Sequence, residues 1–280
     1  MSPDLRLAEI TRIFSDLHYG DRASALHSLP ALAPLFDGAA QIILNGDTLD
    51  TRPSRNPAGT LGLRAEVAEF FQRHGPPATF LTGNHDPDIS DAHALELVER
   101  SIYVTHGDIL FENLVPWGRD AALLRERVAG ELAALSPDAR ERLEDRFSAY
   151  RRAAASIPQR HQSERHPVKY ALGFAADTIW PPLRVLHVLK AWRETPARAA
   201  ALLNRHKLPA KFFVMGHTHR LGFKSAPTGL VVINTGSFCP PCDGAVVDVT
   251  ENRLVLRQIE RRSGEYRIGT TLTEFALAGR

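Results

Sequence analysis

The sequence predicts an α/β fold carrying a helical insertion, and three observations predict it. Short apolar runs alternate with helix-like stretches over the first third, a block from about Gly118 to His206 has only helical periodicity, and short apolar runs return after it. The 280 residues, 44% hydrophobic and 24% charged, have the composition of a folded globular chain. A chain of this size buries roughly three quarters of its unfolded surface, so a substantial core is expected.

Taken in order, Ile10 to Ser15, Gln41 to Asn45, Ala78 to Thr82 and Ser101 to His106 read as strands. Ala23 to Leu35 and Leu63 to His74 carry apolar residues at helical spacing. Each strand runs into a polar segment: Ser15-Asp16-Leu17-His18, Asn45-Gly46-Asp47, Gly83-Asn84-His85-Asp86 and His106-Gly107-Asp108. Parallel strands bring such ends to one edge of the sheet, where open α/β folds bind ligands. In the helical block, Ser136-Pro137-Asp138 and Thr195-Pro196 both read as helix starts, a hydroxyl cap followed by proline. At least three helices are expected there. Strands resume at Phe212 to Met215, Leu230 to Thr235, Ala245 to Val249 and Leu254 to Ile259, spaced like an antiparallel meander. The predicted organisation is a core of residues 1–117 and 208–280 with an inserted helical cap of 118–207.

Composition excludes several function classes. The only cysteines, Cys239 and Cys242, provide no disulfide framework. The best apolar stretch, Ala171 to Leu189, is broken by Asp177, Pro181, Pro182 and Arg184, short of the ~20 residues that cross a bilayer. The charged start, with Asp4, Arg6, Glu9 and Arg12, reads as folded protein and not as a signal peptide, and a cytoplasmic location is expected. The formal net charge of +2 points to no polyanionic partner. Locally, the segment Arg119 to Lys207 carries +7 and the remainder −5. Between Phe147 and Tyr170, Arg151, Arg152, Arg160, Arg165 and Lys169 face one acid, Glu164, so this patch is either a solvated face or a phosphate contact.

Together the strand-end segments offer Asp16, His18, Asp47, Asn84, His106, His217 and His219, oxygen and imidazole donors with no thiolate. Such a mixture suits divalent Mn, Fe, Zn or Co. Seven donors exceed one tetrahedral ion, whereas two ions sharing a bridging carboxylate use them all, an arrangement that recurs in phosphate-ester hydrolysis. Any one of these residues alone reads equally well as a turn or a loop hydrogen bond. Their order, each after a strand-like run, is poorly explained by chance.

These blocks, Asp16-Leu17-His18, Gly46-Asp47-Thr48-Leu49-Asp50, Gly83-Asn84-His85-Asp86, His106-Gly107-Asp108 and Gly216-His217-Thr218-His219, resemble the calcineurin-like metallophosphoesterase family. The resemblance continues weakly through Asn234-Thr235-Gly236-Ser237 and leaves the inserted helices uncovered. It implies two packed mixed β-sheets flanked by helices, an αββα sandwich, with a dimetal site on one edge. It further implies that Asp16, His18, Asp47 and His219 hold one ion and Asp47, Asn84, His106 and His217 the other, with Asp47 as bridge. Attack on phosphorus by a metal-bound hydroxide is the implied chemistry. His85, outside that ligand set, is implied as general acid, oriented by Asp50.

Gly-Asn-His-Asp, and a Gly-Asp-Thr-Leu-Asp without a following Arg-Gly, argue against a Ser/Thr protein phosphatase. The succession of His106-Gly107-Asp108, a helical insertion and Gly-His-Thr-His is similar to the UDP-2,3-diacylglucosamine pyrophosphatase branch, which carries arginine where this chain has His85. The expected substrate is a small-molecule or lipid phosphate, with peripheral contact at the inner face of a membrane. The apolar stretch Phe174, Ile179, Trp180, Leu183, Val185, Leu186, Val188, Leu189 and Trp192 either packs the insertion on the core or forms a groove for acyl chains. Arg52, Arg55 and Asn56 lie in a loop that is either solvated or in contact with substrate phosphate. The competing reading is a nuclease or a protein-interaction module with a structural metal, but no basic stripe interleaved with aromatic residues supports nucleic acid. Cys239-Pro240-Pro241-Cys242 reads as a loop near the metal edge, with oxidation sensitivity as a minor expectation.

Overall fold

The computed structural model describes residues 9–159, 168 and 183–277. Arg160, Glu164, Arg165, Lys169, Phe174, Ile179 and Trp180, all singled out above, lie outside the described residues.

Two mixed sheets form the core. The first has strand order β11-β10-β9-β1-β2-β3, from β1 (Ile10–Phe14), β2 (Ala39–Asn45), β3 (Ala78–Leu81), β9 (Ala245–Val249), β10 (Arg253–Arg262) and β11 (Glu265–Ala276). The second has order β4-β5-β6-β8-β7, from β4 (Ala94–Leu97), β5 (Ile102–Thr105), β6 (Phe212–Met215), β7 (Gly222–Ser225) and β8 (Val231–Asn234). β1, β2 and β3 are mutually parallel, as are β5, β6 and β8.

The period of two along each strand builds the layers. Ile13, Ile43, Val104, Val214 and Ile233 point inward and share one buried cluster between the sheets. Their neighbours Phe14 and Leu44 point outward, under Val67, Phe70 and Phe71 of α1 (Pro57–Arg73). On the opposite face Tyr103, Phe213, Met215 and Val232 pack under Ala191, Ala199 and Leu203 of α5 (Leu183–Arg205). The expected two-sheet α/β architecture is therefore present.

Three more helices, α2 (Ala121–Ala133), α3 (Pro137–Glu141) and α4 (Leu143–Ala155), follow β5. Leu124 and Val128 of α2 meet Phe147, Tyr150 and Ala153 of α4, closing a separate apolar cluster on Ile109 and Leu114. α3 starts where the sequence predicts, with Ser136 Oγ accepting from Ala139 N at 3.3 Å and Pro137 next.

Four expectations need correction. Thr195-Pro196 does not start a helix: α5 runs through Pro196, and the Thr195 hydroxyl donates to the Ala191 carbonyl at 2.8 Å. Burial of Ala191 and Ala199 on the sheet outweighs the hydrogen bond that proline forfeits. Ala23 to Leu35 yields only a 3-10 helix over Leu29–Leu35, where Pro30 and Pro34 cannot donate backbone bonds. The late strands are not one meander: β6 and β8 are parallel in the second sheet, while β9, β10 and β11 extend the first. β4, β7 and β11 are additional strands that the sequence pattern does not reveal.

A buried ion pair joins two strands of the first sheet. Arg12 of β1 pairs with Asp248 of β9, Nε to Oδ1 at 2.6 Å, and donates to the Leu35 and Asp37 carbonyls at 2.6 and 2.9 Å. Both side chains are buried, so the guanidinium has exchanged water for a set of protein acceptors.

Candidate metal centre

The parallel strands β1, β2, β3, β5 and β6 end on one edge of the sandwich, and each hands the chain to a loop carrying predicted ligands. Five of the seven lie in left-handed backbone: Asp16 (φ 54°), His18 (46°), Asp47 (52°), His217 (65°) and His219 (54°). Such conformations cost of order 1–3 kcal/mol each for non-glycine residues and persist where the surroundings fix them. Glycine is required beside them. A Cβ on Gly46, itself at φ 80°, would stand 2.6 Å from the His106 ring, and one on Gly216 would collide with the Asp16 carboxylate.

The loops bring the donors into clusters whose ligand atoms lie within 4.8 Å of one another: Asp16, His18 and His219; Asp47, His106 and His217; and His18, Asp47 and His85. His219 Nε2 is 3.1 Å from Asp16 Oδ1 and 3.2 Å from His18 Nε2. Asp47 stands between the clusters, Oδ2 at 3.2 Å from His106 Nε2 and 3.9 Å from His18 Nε2, while Oδ1 accepts the His85 backbone N–H at 2.8 Å.

Outer partners fix the ring nitrogens. His106 Nδ1 donates to the Asn45 carbonyl at 3.0 Å, leaving Nε2 to face Asp47, and His217 Nε2 donates to the Leu114 carbonyl at 2.9 Å, leaving Nδ1 to face the cluster. His106 Nε2 and Asn84 Oδ1 are buried without an aligned hydrogen-bond partner. Buried polar atoms are ordinarily satisfied. Two unsatisfied buried polar atoms beside two carboxylates and further imidazoles are the donor set of a divalent cation once the histidine is deprotonated, so the residues fit the metal pair implied by the resemblance.

The electrostatics agree. Burial would depress His106, but Asp47 and Asp16 raise it to about 10, and against the same burial Asp16 and Cys242 raise His219 to about 10. Burial, with neighbouring imidazoles, lowers His18 and His217 to about 4. Despite its burial, Asp47 is held well below the usual carboxylate range, chiefly by His106 and His85. Protons on His106 and His219 here supply the positive charge that two carboxylates demand.

His85 faces the cavity above this edge with its side chain about one fifth exposed (22%). Its Nδ1 lies 3.1 Å from Asp50 Oδ2 and 3.0 Å from the Arg52 guanidinium. Arg52 also grips Asp50 in a fork, Nε to Oδ1 at 3.0 Å and a terminal nitrogen to Oδ2 at 2.7 Å. Against burial, Arg52 and His85 keep Asp50 ionised well below the usual range. Arg52 thus belongs to the His85 network as well as to the cavity wall.

The other predicted phosphate contacts fall elsewhere. Arg151 is buried in an ion pair with Asp108, and exposed Arg152 pairs with Glu131 at 2.6 Å, so both turn to carboxylates and not to the cavity. Arg55 and Asn56 are exposed, and Asn56 caps α1 by accepting from Gly59 N at 3.2 Å. The cavity, about 430 Å³, is lined by metal-cluster residues on one side and by Val115, Trp117, Leu124, Ile157, Val188 and Trp192 on the other. Of the apolar stretch on α5, Val188 and Trp192 therefore line the cavity, while Val185, Leu186 and Leu189 are exposed.

Sequence reasoning missed Asp86, whose buried carboxylate accepts from Asp47 N, Thr48 N and Gly83 N at 2.9, 2.7 and 2.8 Å and joins two ligand loops. It also missed Ser15, which hydrogen-bonds Asp16 and Thr235, and Trp117. Asp86 was visible as the last residue of Gly-Asn-His-Asp; Trp117 carries no local signal.

Comparison with curated protein sequences gives no match. The fold is similar to vacuolar protein sorting 29 from Cryptosporidium parvum, at 13% identity and TM-score 0.44, covering 96% of this chain and 99% of that one. It is also similar to a dimetal phosphatase from Danio rerio, at 14% identity and TM-score 0.44, covering 94% of this chain and 99% of that one. Residues 12–221, three quarters of the chain, match the calcineurin-like phosphoesterases, and the protein belongs to that family.

Proposed function

We propose that the protein is a dinuclear metal-dependent phosphoesterase acting on a phosphate that carries a large apolar group. The observation that carries this reading is that the carboxylate and imidazole clusters, His85 and an apolar wall all border one cavity. Asp16, His18 and His219 hold one ion, Asn84, His106 and His217 the other, and Asp47 serves both. The ions would supply Lewis acidity at the phosphoryl oxygens and lower the pKa of water. Manganese is the first choice, and Fe, Zn or Co accept the same donors. His85, oriented by the Nδ1–H it donates to Asp50, keeps Nε2 for the proton that the leaving oxygen takes up.

Trp117, Leu124, Ile157, Val188 and Trp192 support an acyl or aryl substituent, and a lipid diphosphate of the UDP-2,3-diacylglucosamine kind is the finer reading. In it, residues 118–207 act as a cap that selects the substrate. No helix among the described residues is long and apolar enough to cross a membrane. A lipid substrate would then be reached by peripheral contact from the cytoplasm.

The test is incubation of Mn-loaded protein with UDP-2,3-diacylglucosamine and, separately, a bis-aryl phosphodiester, with Asp47→Asn as blank. Release of UMP and a lipid monophosphate is expected. Cleavage of the aryl diester alone would refute the lipid diphosphate, and no turnover of either with Mn, Fe, Zn or Co would refute the esterase.

A further inference from the structure

The loop after β8 carries both cysteines, and both line the cavity that holds the candidate ligands. They are free thiols. The Cys242 N–H donates to the Cys239 carbonyl at 3.0 Å, closing a four-residue turn. Such a turn brings its end Cα atoms within about 7 Å, and disulfide-linked residues have Cα separations of about 4.4–6.8 Å.

The loop is fastened to the metal edge at several points. Gly236 and Gly244 form a bridge at its base, and Ser237 N–H donates to the Asp243 carbonyl at 3.1 Å. Phe238 N–H and the Ser237 hydroxyl both donate to the backbone carbonyl of Asp16, at 3.1 and 3.3 Å, and Ser237 Oγ accepts the Cys239 N–H at 3.0 Å. At the far end, Cys242 lines the cavity together with His219, whose Nε2 faces Asp16 and His18, and its sulfur acts as an acceptor that favours the protonated ring. One thiol is thus an outer partner of a candidate ligand, and the second stands a turn away.

We propose that Cys239 and Cys242 are a redox-active dithiol, and that its oxidation by a hydroperoxide to an intramolecular disulfide loosens the cluster of Asp16, His18 and His219. In the step, two S–H bonds and the peroxide O–O bond break and one S–S bond forms. The sulfurs give up two electrons, and with hydrogen peroxide both oxygens leave as water carrying the two thiol protons. Closing the ring turns the Cys242 sulfur toward Cys239 and takes from His219 the sulfur acceptor beside its imidazole. Outer partners of metal-binding histidines govern ring orientation and basicity, and losing one costs about 10–100-fold in metal affinity. Nothing else in the proposed ester hydrolysis uses either sulfur. The proposal rests on the metal-centre reading.

Full-length reduced protein, untreated or treated with hydrogen peroxide, is tested by alkylation with intact mass measurement and by competition of Mn²⁺ or Zn²⁺ against a chelating dye. Treated wild type is expected to be two hydrogens lighter, to lose both alkylatable thiols, to recover them with dithiothreitol, and to bind metal about 10–100-fold more weakly while oxidised. Cys239→Ser, which cannot close the ring, is expected to hold its affinity through the same treatment. Two thiols surviving in wild type, or a disulfide that leaves metal affinity unchanged, would overturn the proposal alone. Absence of metal binding by reduced wild type would overturn the metal-centre reading and the proposal with it.

Discussion

Nδ1 of His85 stands 3.1 Å from Oδ2 of Asp50, and the Arg52 guanidinium bonds the same carboxylate oxygen at 2.7 Å. The carboxylate is shared between a cation and an imidazole. It orients the ring, while Arg52 keeps the carboxylate ionised. In the proposed reaction this orientation aims Nε2 at the leaving oxygen.

His85→Ala should therefore lower kcat about 10²–10⁴-fold on an alkyl phosphate ester, within the range for general acid catalysis. With a nitrophenolate leaving group, which needs little protonation, the loss should be far smaller. A leaving-group series in wild type and variant measures this, and equal losses across the series would remove His85 from proton delivery.

Asp47→Asn takes a shared charge from between two clusters. Metal affinity should fall by more than ~100-fold, beyond what losing an outer partner costs, and hydrolysis should fall with it. Metal content per chain, measured beside circular dichroism to establish folding, decides the matter. Wild-type content in a folded variant would show that Asp47 is no ligand.

Metal uptake should release protons. His106 and His219 are both raised to about 10 without metal, so between about pH 6.5 and 10 each folded, metal-free chain carries a proton on both rings. A cation must displace them, and apparent affinity should climb with pH across that window and level off above it. The sign for stability is opposite. These protonated rings stabilise the metal-free fold fully below about pH 6.5, and the contribution is lost as pH rises through about 10. Calorimetry of metal binding in buffers of different ionisation enthalpy counts the protons, and a count of zero at pH 7.5 contradicts the assignment.

Asp248→Asn should destabilise the protein by about 3–5 kcal/mol, because Arg12 would remain buried with its charge uncompensated. The double change Arg12→Met with Asp248→Leu should be less harmful than either single one. Denaturant midpoints of the three variants test this, and additive losses would mean that the pair does not act as a unit.

Much of the site is legible in the sequence because each ligand follows a buried strand, and parallel strands deliver their ends to one edge. Phe14, Leu81, Thr105 and Met215 are each followed within three residues by a predicted ligand. What the sequence hides is partnership across the chain. Arg151 reads as a surface cation, yet its acid, Asp108, lies 43 residues away and inside the protein. Thr195-Pro196 reads as a helix start because local chemistry cannot register the sheet that α5 covers. β11 is missed because its polar, half-exposed residues gain regularity only by pairing with β10, around the tight turn at Ser263 and Gly264.

One hydrogen bond carries a mechanical consequence. The Trp192 indole N–H donates at 3.0 Å to the carbonyl of Thr218, the residue between His217 and His219. The same ring lines the cavity, and the Arg220 side chain stacks on it at 4.9 Å. Helix α5 is thereby latched to the peptide between two imidazoles that serve different clusters. A displacement of this helix would therefore pull on backbone shared by both candidate clusters, which makes α5 part of their scaffold as well as a wall of the cavity.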